Sequence, residues 1–429
     1  VTVARTTPDP DVPAVPAAGW AAPVSRLRAA ALSWISLCVT VPLLVVSLFW
    51  SWTRLGNYAL DLDIYRIGVE VWLAGGDMYG VLPAPMNGPL LPFIYPPFAA
   101  ITMVPLAAVP YPVAFTVQFV ASLVSLAICI ALAIRIAWPA GGRRAPLVLG
   151  VPVLAATLLI EPVAQTYAFG QINLVLMMLV AVDCLAPRTR WPRGLLLGLA
   201  AAIKLTPGGM ILFFLVRRDW KAAGVAVATG IVATGIGFLV DVDSSVRYWF
   251  VGGPAAGVSG STFFSNETVQ AVLARQEVPE PWFTVLWLGI VAGLLALAVP
   301  VIRRTEPVIA MSATAAVVLM ATPTAWSHHW VWVVPALIGF CAHALRHRSA
   351  VWLLVAAVFA AIFYVAPFRW MPNVWGVEVK WSLWEQVLGA SYVLPAALAL
   401  GLGCWYVTRG PGRPGGPQAP EPDLLRVGR

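Results

Sequence analysis

Twelve stretches of nearly unbroken apolar sequence alternate with short polar segments along the chain, at 29–50, 95–109, 111–134, 145–162, 169–186, 194–216, 222–240, 283–302, 307–323, 329–345, 350–368 and 386–407. A run of about 22 residues such as the first crosses a hydrocarbon core of about 30 Å at 1.5 Å per residue. The pattern predicts an all-α polytopic integral membrane protein of about 12 transmembrane helices, because a helix satisfies every backbone polar group from within. Two segments read differently. Residues 64–74 interleave Ile, Tyr, Val and Leu with Arg66 and Glu70, which predicts an amphipathic helix lying at the membrane interface, and 268–275 is a second candidate. The polar, Pro-rich stretch 1–28 and the basic Pro/Gly-rich tail 409–429 are expected to be disordered cytoplasmic ends flanking one transmembrane domain, 29–408.

Composition sharpens this class. Of the residues, 60% are hydrophobic and 11% charged, against about 25% charged in soluble domains. The net charge of +8 does not indicate nucleic acid, since the Lys and Arg residues cluster in short loops between apolar runs, where they orient the chain. The five cysteines, Cys38, Cys129, Cys184, Cys341 and Cys404, lie in or beside apolar runs without CxxC spacing, which excludes a disulfide framework and a zinc site.

The basic residues also test the topology. Arg26 and Arg28 place the N-terminus in the cytoplasm, so Asp61 emerges on the outer face, together with loops 51–94 and 241–282 and the His328–His329 pair. Twelve full crossings place Arg143, Arg144, Arg188, Arg190 and Arg193 outside, against the charge rule. An alternative makes 95–109 re-entrant and breaks 194–216 at Pro207 into two half-spans of about 11 residues. These fall short of about 30 Å, so twelve crossings are preferred.

Candidate chemistry gathers at a few polar points. Asp61 and Asp63 follow the first apolar run; both suit a cap for a helix beginning at Ile64, and Asp61 also suits a general base for an alcohol. His328 and His329 stand about 100° apart on a helix, so one of them is expected to face a site. Around them Trp326, Trp330 and Trp332 read as an interfacial belt or as a site wall. Lys204 sits mid-run, where an unpaired cation costs about 3 kcal/mol, so it calls for an anionic partner such as phosphate or for snorkelling. Glu161, Gln165, Tyr167, Gln171 and Asn173 supply groups of the kind that hold sugar hydroxyls. Walker, GxGxxG, nucleophile-elbow and HExxH motifs are absent, which turns attention from soluble nucleotides to a lipid-borne substrate.

Six blocks carry a resemblance: Asp61-Leu-Asp-Ile-Tyr65; Leu91-Pro-Phe-Ile-Tyr-Pro-Pro-Phe98; Glu161-Pro with Gly170-Gln-Ile-Asn173; Lys204-Leu-Thr-Pro207; Asn266-Glu-Thr268 with Arg275; and Ser327-His-His-Trp-Val-Trp332. Their types and order resemble the actinobacterial polyprenol-phosphate-mannose-dependent α-1,2-mannosyltransferases, glycosyltransferase family 87 of the GT-C superfamily, and most of all the members that add the fifth mannose to phosphatidylinositol mannosides. The resemblance implies a polyprenyl (decaprenyl) phosphate mannose donor, a phosphatidylinositol mannoside acceptor and inversion to an α linkage. It implies no cofactor or metal, a monomer among membrane lipids, and a site on the outer face of the plasma membrane. It also implies Asp61 as base, with His328 and His329 catalytic, and Lys204 and Arg66 at the donor phosphate. Tyr65, Tyr95, Glu161, Gln171, Asn173, Asn266, Arg275, Trp326 and Trp330 are then expected at the substrate. Asn266-Glu-Thr stands where the family usually has Asn-Gln-Ser, and Ala321-Thr-Pro-Thr324 replaces Leu-Ser-Pro-Ile, a packing change. Lipomannan or lipoarabinomannan branching and arabinofuranosyl transfer share these motifs. A lipid flippase or secondary transporter is the reading from another class, suggested by an intramembrane lysine in a broken span.

Overall fold

The computed structural model describes residues 34–55, 59–139, 142, 145–251, 260–374 and 376–410. Of the segments expected to be disordered, 1–28 and 409–429, all but Arg409 and Gly410 lie outside them, as do Arg143 and Arg144. The chain opens with α1 (Trp34–Leu55), α2 (Leu60–Leu73), α3 (Pro97–Ala107), α4 (Tyr111–Ala137), α5 (Ala145–Thr157), α6 (Glu161–Phe169) and α7 (Asn173–Leu185). Helices α8 (Leu195–Ile203) and α9 (Ile211–Val216) flank a 3-10 turn at Thr206–Met210. Next come α10 (Trp220–Val240), α11 (Val242–Phe250), α12 (Val269–Arg275), α13 (Trp282–Arg304) and α14 (Pro307–Ala321). A second 3-10 turn, Ser327–Trp332, runs into α15 (Val333–His347), followed by α16 (Ala350–Val365), α17 (Leu383–Gly389) and α18 (Val393–Thr408).

By length and composition, five helical stretches can cross a membrane: α4, α10, α13, Ser327–His347 and Ala350–Trp370. Two bent pairs, Val148–Thr157 with Glu161–Phe169 and Leu383–Gly389 with Val393–Thr408, raise the number to seven. This is an all-α multi-pass membrane protein. Its long spans are fewer than the twelve apolar runs because polar turns and prolines cut several runs into helices of 10–17 residues.

The bundle has two chemically distinct ends. At one, Asp241 just past α10 accepts from Trp72 Nε1 of α2 at 2.8 Å, which brings α10 to the helix that carries Asp61. At the other, arginines tie helix ends together: Arg217 donates to the Ile302 and Thr305 carbonyls at 2.9 and 3.2 Å, Arg304 to the Val407 carbonyl at 3.0 Å, and Arg346 pairs with Glu306 at 3.0 Å.

This frame corrects the reading of 194–216. A Cβ on Gly194 would approach the Ala222 carbonyl to 2.1 Å, and one on Gly198 the Ala226 carbonyl to 2.4 Å, so only glycine lets α8 lie this close beside α10. The two helices run in parallel from the arginine end. Lys204 then turns extended (φ −146°, ψ 128°), and the chain returns through the 3-10 turn and α9 to Arg217. The run is a hairpin with Lys204 at its apex, not one crossing, and the break falls at Lys204 rather than Pro207. Its halves tolerate being short because α7, α10 and α14 cover them, so their ends need not reach the two lipid surfaces. Arg188, Arg190 and Arg193 consequently share an end with Arg217, Arg218 and Lys221.

Segment 95–109 also turns back. Phe98 at the start of α3 lies against Gly237 near the top of α10, and the Val109 carbonyl just past its end accepts from Arg66 at 2.9 Å. Helix α2 departs from expectation as well: it begins at Leu60 and is covered rather than interfacial, with Leu62 and Val69 fully buried.

Candidate active site

Asp61 lies in the first turn of α2, and its placement begins with a glycine. Gly170 caps α6 in the left-handed region (φ 64°), and a Cβ there would come within 2.7 Å of Leu62 Cβ and 2.8 Å of Ala59 Cβ. Only glycine satisfies both demands. The close approach sets the next residue, Gln171, beside α2, where its Nε2 donates to Asp61 Oδ2 at 2.6 Å. Its Oε1 accepts from the Tyr65 hydroxyl at 2.8 Å, so the amide can face Asp61 only through its nitrogen. Tyr65 has spent its proton there, and the Tyr95 hydroxyl, 2.9 Å away, therefore donates to it. Gln118 of α4 holds the Gln171 carbonyl at 3.0 Å.

The Lys204 ammonium sits 5.5 Å from the centre of the Tyr95 ring, on the same network. It donates to Asn173 Oδ1 at 3.0 Å and lies 3.0 Å from His329 Nε2. An ammonium has only donors, so His329 Nε2 is the acceptor and its proton is on Nδ1, an atom with no partner among the described residues. The His328 carbonyl accepts from Asn173 at 3.0 Å and from Thr166 at 3.1 Å. Its ring stands edge-on to Phe169, with Nε2 unpartnered. Burial pushes the Asp61 carboxyl up to about 6, with the Gln171 hydrogen bond and the Lys204 charge drawing it back. A carboxyl so tuned is a base at neutral pH that still competes for a proton.

Asn173, Lys204 and His329 also line a small cavity whose other walls include Leu176, Met177, Met210 and Val318. Trp332 and Leu319 separate it from a second, apolar cavity between α13, α14, α15, α16 and α18. A cationic head with an apolar extension is the shape of a site for a phosphate on a long hydrocarbon.

Of the residues singled out in the sequence, Asp61, Tyr65, Tyr95, Gln171, Asn173, Lys204, His328 and His329 converge. Trp330 and Trp332 wall the apolar cavity, and the rest lie elsewhere. Arg66 is spent on the Val109 carbonyl and on Glu70, 3.4 Å away, about 140° around α2 from Asp61. Asp63 is neither solvated nor a cap, because its Oδ2 accepts from the Met86 amide at 2.8 Å beneath loop 51–94. Glu161 is enclosed by Ser327, Tyr392 and Arg369, at 2.8, 2.8 and 3.1 Å, so it braces the histidine turn.

Asn266 pins loop 241–281 to the Ala325 amide, and Arg275, 1% exposed, gives its donors to the carbonyls of Thr262, Phe263, Phe264, Asn266 and Gly389. Trp326 packs on Phe263, and Trp330 is buried against the stacked rings of Phe363 and Tyr392, so neither belongs to an interfacial belt. Sequence reasoning missed Gln118, Arg369 and Tyr392. A glutamine within the 111–134 run was a signal; the other two only distance could reveal.

With this geometry in view, the comparisons with known proteins are direct. Residues 93–323 match the model of glycosyltransferase family 87. A "polyprenol-phosphate-mannose-dependent alpha-(1-2)-phosphatidylinositol mannoside mannosyltransferase" of Mycolicibacterium smegmatis is 37% identical over 368 residues, 80% of this chain and 83% of that protein. The chain belongs to glycosyltransferase family 87. A second M. smegmatis relative, a "polyprenol-phosphate-mannose-dependent alpha-(1-2)-phosphatidylinositol pentamannoside mannosyltransferase", is 30% identical over 382 residues, 84% of this chain and 89% of that protein. Among solved structures, ArnT from Cupriavidus metallidurans bound to undecaprenyl phosphate aligns over 86% of this chain and 76% of that one, at 14% identity and a TM-score of 0.41. For a family 87 member, the matched segment 93–323 includes Tyr95, Gln171, Asn173 and Lys204 and stops short of Asp61 and the histidines.

Proposed function

We propose that this protein transfers mannose from a polyprenyl-phosphate-mannose donor to the 2-hydroxyl of a mannose on a phosphatidylinositol mannoside, forming an α-1,2 linkage with inversion. One observation carries the reading: the Asp61 carboxylate, held by Gln171, and the Lys204 ammonium, held by Asn173, lie within electrostatic reach of each other beside a cavity whose lining joins Lys204, Asn173 and His329 to apolar side chains. Asp61 takes the proton from the acceptor hydroxyl as its oxygen bonds to the anomeric carbon. The bond from that carbon to the phosphate oxygen breaks, and polyprenyl phosphate leaves with the electron pair. Lys204 offsets its charge, and the Nδ1–H of His329 or the ring of His328 donates to it. The apolar cavities suit the prenyl chain.

Counting α1, α7 and α14 beside the seven stretches described above, ten passages through the bilayer, α1, α4, α5, α7, α10, α13, α14, α15, α16 and α18, with the 194–216 hairpin re-entrant, would gather the arginines on the cytoplasmic side. On this reading Asp61 stands on the outer face of the plasma membrane, and the single domain is expected to act as a monomer. Two relatives carry the phosphatidylinositol mannoside name, and the finer reading is addition of the fifth mannose. Purified protein given radiolabelled polyprenyl-phosphate-mannose and each mannolipid acceptor, with products separated by thin-layer chromatography, tests it. A single mannose added to the tetramannoside is expected; label on lipomannan alone, or none on any acceptor, would sink it.

A further inference from the structure

Far from Asp61, Val216, Arg217, Arg218 and Arg303 line an open recess between the feet of α9 and α13. The 21 residues of α10 set it about 31 Å from the Asp241 end. Two of its arginines are conformationally committed. Arg217 is fixed by the Ile302 and Thr305 carbonyls and stacks 5.4 Å over Phe213. Arg218 holds a left-handed backbone (φ 63°), which a residue with a side chain adopts only at a cost. Among the described residues none of the three arginines is in an ion pair. The neighbouring acids face other partners: Asp219 Oδ1 accepts from the Ala222 amide at 3.1 Å, and Glu306 Oε2 pairs with Arg346 at 3.0 Å. Three guanidinium groups around one recess repel one another unless an anion joins them. Beside them Leu215 and Trp220 are 37% and 64% exposed and form an apolar skirt.

We infer that this recess binds the phosphate of an anionic membrane phospholipid, with the acyl chains along Leu215 and Trp220. A basic pocket between helices has the chemistry for such a headgroup, and the apolar skirt distinguishes a lipid from free phosphate. The lipid would bridge α13 and the foot of the hairpin whose apex is Lys204.

The full chain in detergent micelles, titrated with phosphatidylglycerol or phosphatidylcholine and read by native mass spectrometry, tests this. The expected result is one retained phosphatidylglycerol, not displaced by inorganic phosphate, and no retained phosphatidylcholine. Binding by R218Q/R303Q should be about 30-fold weaker, which is about 2 kcal/mol at 1.4 kcal/mol per tenfold. The charge-matched R188Q/R190Q, on a neighbouring loop at the same end, should bind as the parent does. Equal weakening in both double variants overturns the inference in favour of unspecific surface charge. Retention of phosphatidylcholine overturns it too, as does displacement by inorganic phosphate.

Discussion

Two polar clusters lie at the same end of the molecule, and they differ in what remains unspent. Around Arg275 every donor named above meets a backbone carbonyl, and Asn266 likewise gives its side chain to backbone partners. Around Asp61 and Lys204 the hydrogen bonds hold side chains to one another, while His328 Nε2 and His329 Nδ1 keep unused capacity beside a cavity. A buried polar group whose partners are all protein builds structure; one left with spare capacity is available to a ligand. Residues of the same family blocks thus divide into a scaffold and the proposed reaction centre.

The most severe way to break this contrast is at the base. Asp61→Asn should lower kcat by about 10²–10⁴-fold while donor affinity, read by isothermal titration, stays within a few-fold; near-parental turnover would remove Asp61 from the role. Lys204→Met should cost about 10²–10³-fold in kcat, and a change confined to KM would make Lys204 a binding residue only. Arg275→Met, by contrast, should act on the fold. It should destabilise by about 3 kcal/mol, because five carbonyls lose a charged partner, yet leave turnover per folded molecule nearly intact at low temperature. A stable but inactive variant would move Arg275 into the reaction centre.

The pH profile sharpens the comparison further. The carboxylate form of Asp61 dominates above about 6, so kcat/KM should fall tenfold per unit as pH drops below that value. Gln171→Leu removes a hydrogen bond that favours the carboxylate, and the acid limb should move upward; an unmoved limb would break the link between Gln171 and the base.

The smallest effect belongs to Glu267. Burial pushes its carboxyl up to about 8, against the pull of Arg275, so the folded protein keeps it protonated where the unfolded chain does not. Stability from that proton is full below the ordinary carboxylate range and is lost as pH rises through about 8. Glu267→Gln, which restores the residue usual in the family, should leave activity unchanged and flatten the decline of Tm toward alkaline pH.

The sequence revealed the membrane class, the helical runs and most of the converging residues, because intramembrane charge and paired imidazoles are costly unless they serve something. It did not reveal where helices end. Apolar periodicity looks the same in a 20-residue crossing and in two short arms buried against neighbours, so the 194–216 hairpin read as one span. Nor does sequence distinguish an arginine aimed at carbonyls from one aimed at phosphate: the resemblance implies Arg66 at the donor phosphate and Arg275 at the substrate, and the fold turns both toward backbone carbonyls.

The press of Gly194 and Gly198 against α10 has a consequence for biogenesis. Arms of 9 and 6 residues are too short to partition stably into lipid as independent units, and their supporting wall is a helix synthesised after them. The arm bearing Lys204 must therefore wait in a sheltered setting during translation, and it locks home only once residues 222–230 emerge. A bulky side chain at either glycine would then halt maturation late, leaving a chain already threaded through the bilayer but without a working centre.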